Sequence, residues 1–145
     1  MEKKLCNKIY QINYLIEDID SLYHQAALKL GVSDSVMSVL YMLYTSHGER
    51  MLNDIYKLSG ISKQTINSAI RKLEKDGLIY LEHYNGKSKR ICFTEEGKIY
   101  ADQTVSRIFQ AECSVFNEWT DEEVDLYLKF IQRYNASFRN EINKL

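Results

Sequence analysis

Residues 59–77 read SGISKQTINSAIRKLEKDG, and this stretch decides the fold. A glycine-containing turn of three to four residues between two helical patterns is typical of a helix-turn-helix. A short helix is predicted over residues 51–58 and a longer one over residues 63–76. Apolar residues recur along the longer helix at the spacing of a single buried stripe: Ile66, Ala69, Ile70 and Leu73. The pattern therefore predicts a short helix, a turn and an amphipathic second helix.

The opposite face of the second predicted helix is polar. Its side chains recur at spacings of four, three and four, with one further amide beside them: Gln64, Ser68, Arg71 and Lys75, then Asn67. Gln, Asn and Ser side chains hydrogen-bond to base edges, Arg forks onto guanine, and Lys suits phosphate. Every surface helix has a polar face, however, so this pattern alone does not distinguish a nucleic-acid interface from an ordinary solvated surface.

A basic hairpin follows directly. Two β-prone runs, LIYLEHY and KSKRICF, flank Asn85-Gly86, and Asn-Gly between such runs is a strong hairpin signal. Residues 57–90 contain eight Lys or Arg and three Asp or Glu, a formal charge of +5, whereas the whole chain carries −1. A basic middle between acidic flanks is typical of nucleic-acid binding. The combination predicts a winged helix whose wing carries Lys87, Lys89 and Arg90 towards DNA.

Long helices flank this segment. Residues 5–30 place apolar side chains at alternating spacings of four and three, and residues 121–145 repeat the pattern after a Thr120–Glu123 capping box, with Asn135 at one seam position. The N-terminal seam consists of Leu5, Ile9, Ile12, Ile16, Ile19, Tyr23, Ala26 and Leu30. Two such seams in a small chain either pack on one another within a monomer or join two copies in a dimer.

Two further caps complete the prediction of the helices. Ser33 is expected to cap a mostly apolar helix over residues 34–46, and Thr94 is expected to cap a helix that runs to about residue 116. The predicted order is four helices, a hairpin and two helices.

Composition narrows the classes of function. The chain has 145 residues, 45% of them apolar and 27% charged, which is typical of one globular domain. Neither a signal peptide nor an apolar run of membrane-spanning length is recognisable, so a cytoplasmic location is expected. Three widely spaced cysteines without a CxxC motif argue against a disulfide framework or a structural zinc site. No catalytic motif is present, and we expect a protein that is not an enzyme and needs no cofactor or metal.

The run ISKQTINSAIRKLEKDGLIYLEHYNGKSKRICFTEEGK, residues 61–98, resembles the DNA-binding core of the MarR family of bacterial transcription regulators. Its most specific parts are LEKDGLI and FTEEGK, the latter close to the family's usual Leu-Thr-x-x-Gly. The resemblance implies a mainly α, single-domain fold over residues 1–145. A winged helix-turn-helix lobe with a two-stranded wing would occupy about 34–97, and helical dimerisation regions would occupy 1–32 and 98–145.

The resemblance also implies a function. Family members are homodimers that repress nearby genes from pseudo-palindromic operators, and a small ligand or an oxidant often releases them. Base contacts are implied for one part of the recognition helix: Gln64, Thr65, Asn67, Ser68 and Arg71. Phosphate contacts are implied for Lys63, Lys72 and Lys75. The alternative is a winged-helix dimer that serves as a protein-interaction module without useful DNA affinity.

The wing tip departs from the family pattern. The family usually has Asp-x-Arg there, whereas this chain has Asn85-Gly86-Lys87. Lys keeps the positive charge but lacks the planar fork of Arg. Lys87 is the first candidate for the wing contact, with Lys89 or Arg90 as alternatives.

Two further sites are suggested by the resemblance. Leu5-Cys6 with Tyr10 is similar to the setting of the reactive cysteine in peroxide-sensing members, and nearby lysines favour the thiolate. The alternative for Cys6 is a small residue without a role. A pocket for a phenolic or other aromatic ligand, between the dimer helices and the DNA-binding lobe, is suggested for His24, Tyr41 and Tyr44. The alternative for these aromatic residues is ordinary core packing, as it is for Cys92 on the wing strand.

Overall fold

The computed structural model of the protein describes residues 2–145, which form seven helices and three strands. In chain order these are α1 (Glu2–Leu30), α2 (Asp34–Tyr44), β1 (Glu49–Met51), α3 (Leu52–Leu58), α4 (Lys63–Lys75), β2 (Ile79–Asn85), β3 (Ser88–Phe93), α5 (Glu95–Gln103), α6 (Val105–Phe116) and α7 (Asp121–Ile142). The described residues divide into two compact units, 2–108 and 109–145.

Hydroxyl side chains start the helices where the sequence predicts them. Ser33 Oγ accepts a hydrogen bond from the Val36 amide at 3.2 Å, and Thr94 Oγ1 accepts one from the Gly97 amide at 3.0 Å. Thr120 and Glu123 form the predicted capping box at the start of α7. Each cap satisfies amide groups that the first turn of a helix leaves without partners. These helix starts are therefore determined by local sequence.

The first unit has one hydrophobic core beneath the helix-turn-helix. Its largest fully buried side chains come from α2, α3, α4, β3 and α6: Val39, Leu40, Leu43, Ile55, Ile66, Leu73, Ile91 and Val105. Helix α2 contributes three of these eight, more than any other element, because its apolar residues lie nearly all round its circumference. The core thus holds the amphipathic α4 with one face inward and the other face in solvent.

The sheet has three antiparallel strands in the order β1-β3-β2, one more than predicted. Strand β1 pairs Arg50 with Ile91 and has only three residues. Three residues are too few for an alternating pattern, so the sequence does not reveal β1. The strand is stabilised by its pairing with β3. The central position of β3 connects the wing to the rest of the first unit.

The hairpin turn lies one residue further along than the Asn-Gly signal suggests. Asn85 pairs with Ser88, so the two loop residues are Gly86 and Lys87. Gly86 has φ +55° at the first loop position, where a type II′ hairpin turn needs a positive φ. A bulge between His83 and Asn85 accompanies this shift. As a result, Lys87 lies in the loop at the tip of the wing.

Gly97 is required by a close approach of two backbone segments. A Cβ atom at this position would lie 1.8 Å from the carbonyl oxygen of Leu78. The same carbonyl accepts a hydrogen bond from the Thr94 amide at 3.1 Å, and Thr94 Oγ1 donates to the Gly77 carbonyl at 2.6 Å. These contacts hold the first turn of α5 against the start of the wing.

The single helix predicted from Thr94 to about residue 116 is wrong. It is divided at Thr104, whose φ of −122° and ψ of −89° end α5 before α6 begins. The Thr104 hydroxyl donates to the Tyr100 carbonyl at 2.7 Å, and the Ser106 hydroxyl donates to the Asp102 carbonyl. Hydroxyl side chains that bond to preceding carbonyls often bend helices. No glycine or proline marks the break in the sequence.

Helix α1 is exposed over most of its length. Every side chain from residue 2 to residue 25 is exposed, and Ala27 is the buried residue of this helix. Among the described residues, no single helix is long and apolar enough to cross a membrane, and α1 and α2, which are bent by 96°, pass that test only as a pair. The predicted seam of α1 is therefore exposed in the isolated chain except at Ala26 and Leu30, which pack against the core.

The second unit, residues 109–145, contains the last part of α6 and the whole of α7. Three aromatic rings form a cluster where the two helices are joined, with centroid separations of 5.3–6.0 Å: Phe116, Trp119 and Tyr127. No residue of α7 is buried, although its apolar seam is continuous apart from Asn135. This seam, like that of α1, is exposed in the isolated chain.

Candidate nucleic-acid interface

Helices α3 and α4 form a helix-turn-helix. The turn between them is stabilised by side-chain bonds, since Ser59 Oγ accepts from the Ile61 amide at 3.2 Å and Ser62 Oγ accepts from the Thr65 amide at 3.2 Å. Gly60 has φ +65° between these two caps. The turn thus aims α4 with its predicted stripe inward, and the four stripe residues are at most 4% exposed.

The outward face of α4 carries seven of the eight residues predicted to contact DNA. These exposed residues are Lys63, Gln64, Thr65, Ser68, Arg71, Lys72 and Lys75. The eighth, Asn67, is half-buried at the edge of this face. We call these eight residues the α4 face. Four of them are basic and none is acidic, so the face is positively charged.

Short contacts order part of the α4 face. Arg71 Nη2 donates to Ser68 Oγ at 3.3 Å, and Ser68 Oγ donates to the Gln64 carbonyl at 3.1 Å. Lys72 pairs with Asp76 at 3.2 Å, one turn further along the helix. All of these groups are exposed, and such solvated contacts exchange readily for contacts with a partner. The arrangement holds the Arg71 guanidinium beside the Ser68 hydroxyl on one side of α4.

Tyr56 on α3 contacts the α4 face and was not recognised from the sequence. Its hydroxyl donates a hydrogen bond to Oδ1 of Asn67, and its ring lies 4.9 Å from Nζ of Lys63. Tyr56 and Asn67 are eleven residues apart on different helices, so no local pattern indicates the pair. The packing of α3 against α4 brings these two side chains together.

The three basic wing residues occupy different environments. Lys87 is exposed in the loop, and Lys89 is exposed on β3 opposite His83. Arg90 is instead half-buried, and its guanidinium forms ion pairs with Glu82 on β2 and Glu49 on β1. Arg90 therefore lies at the centre of the sheet, and not on the free wing surface where we expected it.

The electrostatics around Arg90 agree with this position. The hydrogen bond that Arg90 donates to Glu82 is the main reason why the pKa of Arg90 is raised above its ordinary value, and the charge of Glu49 adds to the shift. The guanidinium also lies 5.1 Å from the ring of Tyr84. With two carboxylates and a ring as partners, Arg90 joins all three strands.

Cys92 lies next to this ion-pair cluster. It is 5% exposed, as expected for a packing role, and its Sγ donates to Glu82 Oε1 at 3.7 Å. Burial is the main reason why the pKa of the Cys92 thiol is raised. A hydrogen bond with Cys92 raises the pKa of Tyr80 on the neighbouring strand. By contrast, Cys6 and Cys113 are free and exposed.

A separate cleft of about 530 Å³ lies in the first unit between α1, α2 and the turn of the helix-turn-helix. Two of the three residues suggested for a ligand pocket, His24 and Tyr41, line this cleft, whereas Tyr44 packs against the hydrophobic core and is not part of the lining. Nδ1 of His24 donates to the Asp34 carboxylate at 2.8 Å, which joins α1 to α2 at the cleft. Within residues 2–145, no group of three or more His, Cys, Asp or Glu side chains is arranged to hold a metal ion.

Comparison with known proteins agrees with this geometry. The sequence model of the MarR family matches residues 30–90, from the end of α1 into β3. The match covers 61 of the 145 residues, and this part of the chain is similar to the MarR family. This match confirms the resemblance noted in the sequence.

One curated relative of this chain is the HTH-type transcriptional repressor YetL of Bacillus subtilis (strain 168). The two are 26% identical over 104 residues, which are 70% of this chain and 62% of YetL. The chain thus spans less than two thirds of the length of that relative.

Solved structures share the fold. The MarR-family regulator NMB1585 from Neisseria meningitidis has a TM-score of 0.81 at 20% identity, over 94% of this chain and 97% of that one. MepR of S. aureus, solved as a complex with DNA, has a TM-score of 0.64 at 19% identity, over 89% of this chain and 96% of that one. At such identities the likeness concerns the fold, and it confirms a mainly helical winged-helix protein with a small antiparallel sheet.

Proposed function

We propose that this protein is a sequence-specific DNA-binding transcription regulator that acts in the cytoplasm as a homodimeric repressor. The observation that carries the proposal is the α4 face: it is exposed, basic and polar, and the stripe opposite it is buried in the core. A face of this composition on the second helix of a helix-turn-helix suits the major groove. The similarity to a repressor and to a DNA-bound family member supports the same function.

The side chains divide into two kinds of contact. Arg71 would read a guanine edge, with Gln64, Thr65 and Ser68 beside it on the same face. Lys63, Lys72 and Lys75 would bind phosphates, which position the protein without reading sequence. On the wing, Lys87 and Lys89 are the exposed cations. We assign Arg90 to the sheet, because its guanidinium already has two carboxylate partners.

The exposed seams support a homodimer. On α1, Leu5, Ile9, Ile12, Ile16 and Ile19 are each 44–57% exposed. On α7, Leu128, Ile131, Phe138 and Ile142 are each 47–51% exposed. Apolar surface in water costs about 25 cal/mol per Å² relative to burial, so two continuous seams favour association with a second copy. A two-fold dimer would present two α4 faces to half-sites about 34 Å apart in a pseudo-palindromic operator.

The cleft beside His24 and Tyr41 is proposed as the site of a releasing ligand. Met37, Met42 and Tyr41 offer apolar and aromatic contacts, which suit an aromatic ligand. Asp20 and Asp34 place two carboxylates in the same lining, so we expect a neutral or cationic aromatic compound in preference to an anionic one. A phenolic amine and a phenolic carboxylate with the same ring form a matched pair, and the amine is expected to release DNA at the lower concentration.

An oxidant is the alternative releasing signal. Cys6 is exposed on α1, two residues after Lys4, and therefore accessible to peroxide in the isolated chain. Mild peroxide should then release DNA from the wild type and leave Cys6→Ser bound. Equal release of both proteins would remove Cys6 as the sensor.

The decisive experiment is fluorescence anisotropy with two labelled duplexes, the DNA upstream of this gene and a scrambled copy. We expect a preference of about 10³ or more for one specific duplex, with log K falling by about 0.9 per neutralised phosphate as log salt rises. Equal binding to both duplexes would indicate backbone attraction alone. No binding even at low salt would favour the protein-interaction module, which the Lys at the wing tip also suits.

The dimer is tested separately by light scattering after size exclusion. The wild type should have about twice the 17.0 kDa mass of one chain. Ile16→Glu should shift the mass towards the monomer, because a charge in the seam opposes its burial. Tyr14→Glu, at a more exposed position of the same helix outside the seam, is the control and should remain dimeric. A monomeric wild type would contradict this part of the proposal.

A further inference from the structure

Tyr56 connects the two helices of the helix-turn-helix at the edge of the α4 face. Its hydroxyl donates to Oδ1 of Asn67, and its ring lies 4.9 Å from the Lys63 ammonium. Lys63 and Asn67 are one turn apart on α4, so a single tyrosine contacts both. Tyr56 is half-buried and packs against the core, which makes it a more fixed point than the exposed side chains around it.

We propose that Tyr56 is a specificity-determining positioning residue, which holds the amide of Asn67 so that its nitrogen, and not its oxygen, is offered to DNA. This inference rests on the proposed function. The oxygen and nitrogen of a planar amide diverge from the same carbon atom. When Tyr56 holds the oxygen towards α3, the –NH₂ group is the end directed away from Tyr56.

The consequence for recognition follows from the hydrogen-bonding inventory of asparagine. An asparagine that reads adenine with two hydrogen bonds accepts from N6 with its oxygen and donates to N7 with its nitrogen. An Asn67 whose oxygen is turned towards Tyr56 directs its –NH₂ donors, and not its oxygen, away from α3. Guanine presents two adjacent acceptors, N7 and O6, to such a group, whereas adenine presents N7 beside the N6 donor, which the –NH₂ group cannot satisfy. At the base pair opposite Asn67, we expect guanine to be preferred over adenine.

The role of the Tyr56 hydroxyl can be tested separately from that of the ring, which contacts Lys63. Tyr56→Phe removes the hydroxyl but keeps the ring beside the ammonium, so it separates the Asn67 contact from the packing of α3 on α4. Tyr14→Phe, on the exposed surface of α1, is a matched loss of a tyrosine hydroxyl far along the chain from the helix-turn-helix. Both variants should keep the melting temperature of the wild type to within a few degrees.

The experiment is competition anisotropy with the preferred duplex and a panel in which each base pair is substituted in turn. In Tyr56→Phe, we expect discrimination at one base pair of each half-site to fall about 3- to 10-fold, the range of one hydrogen bond. The other positions and the salt slope should not change. Asn67→Ala should lose discrimination at the same base pair, and the double variant should lose no more than Asn67→Ala alone.

Three outcomes would overturn the inference. If Tyr56→Phe has the same base-pair profile as the wild type, or weakens every duplex equally, Tyr56 does not determine specificity. If adenine is preferred at the position that Asn67→Ala affects, the amide is not held as proposed. In each of these cases, a wild type that still binds one duplex in preference to the others would leave the proposed function intact. A wild type without preference for any duplex would overturn the proposed function itself, and this inference with it.

Discussion

Arg90 on β3 forms an ion pair with Glu82, its direct cross-strand neighbour on β2. Arg90 Nε donates to Glu82 Oε1 at 2.6 Å, and the guanidinium reaches Glu49 on β1 at 3.4 Å. A cation chosen from the sequence as a DNA contact is thus a link between the three strands. Lys87, in the loop three residues before Arg90, has the exposed position expected of a DNA contact.

Because Arg90 and Lys87 lie in different environments, replacing each by Ala should affect the stability of the protein differently. Arg90→Ala should lower the melting temperature, because it leaves the carboxylates of Glu82 and Glu49 close together without a cation. Lys87→Ala should leave the melting temperature unchanged, since the side chain is exposed in the loop. Differential scanning calorimetry of both variants measures the difference. An Arg90→Ala protein as stable as Lys87→Ala would contradict the structural role of Arg90.

Lys87→Ala should instead affect DNA binding. Removal of one phosphate contact is expected to reduce the slope of log K against log salt by about one per wing and to weaken all sequences alike. Anisotropy over a salt series measures this slope. Lys98→Ala is a control, because Lys98 is an exposed lysine already paired with Glu95 on α5. An unchanged slope in Lys87→Ala would exclude the wing tip from the interface.

Arg71 and Lys75, both on the α4 face, should affect DNA binding differently when each is replaced by Ala. Arg71→Ala is expected to cost about 1–3 kcal/mol on the preferred duplex and to relax the preference at one base pair. Lys75→Ala should weaken binding to specific and scrambled duplexes by similar factors, because phosphate contacts are independent of sequence. Both duplexes are titrated with each variant. If the two variants weaken binding in the same way, the division between base and phosphate contacts is wrong.

Gly97→Ala should destabilise the folded protein by about 2 kcal/mol or more. The added Cβ would lie 1.8 Å from the Leu78 carbonyl oxygen, which is backbone and cannot rotate away. Gly31→Ala is the control: it also adds a methyl group, but there is open space around it and the cost is that of a positive φ, about 1 kcal/mol. Urea unfolding of both variants compares them. A smaller loss in Gly97→Ala than in Gly31→Ala would contradict the close approach.

Cys92 should be the slowest of the three thiols to react. Burial raises the pKa of Cys92, which lowers its thiolate fraction at pH 8, and access to its thiol is restricted, whereas Cys6 and Cys113 are exposed. A Cys6→Ser/Cys113→Ser variant should react slowly with a disulfide reagent in the folded state and rapidly in denaturant. Because the raised pKa favours the protonated thiol in the folded state, Cys92 should also lower stability as pH rises above about 9, its ordinary value. Rapid reaction of the folded variant at pH 8 would contradict the buried position.

Much of the fold was predictable because its signals are local. The caps at Ser33, Thr94 and Thr120 lie within three residues of the amides that they bond, and the stripe of α4 repeats within one helix. The hairpin signal at Asn85-Gly86 gave the right strands with the turn one residue away. The bulge beside Asn85 explains the difference, since it changes the register without changing the composition.

The break at Thr104 and the strand β1 were not predictable in the same way. Thr and Ser occur within many helices, so Thr104 and Ser106 give no clear stop signal until their hydroxyls are seen to bond preceding carbonyls. Strand β1 has three residues and depends on β3, about 40 residues further along the chain. In both cases the deciding interaction depends on the surrounding structure.

By itself, the sequence determined the helix starts that Ser33, Thr94 and Thr120 cap, the helix-turn-helix, the wing and the polar face of α4, because periodicity and caps act over a few neighbouring residues. The tertiary structure decided the partners of individual side chains. It paired Arg90 with Glu49 across 41 residues, placed Tyr56 against Asn67, and left Tyr44 outside the cleft that His24 and Tyr41 line. These contacts join residues on different elements, and only the packing of those elements determines which side chains meet.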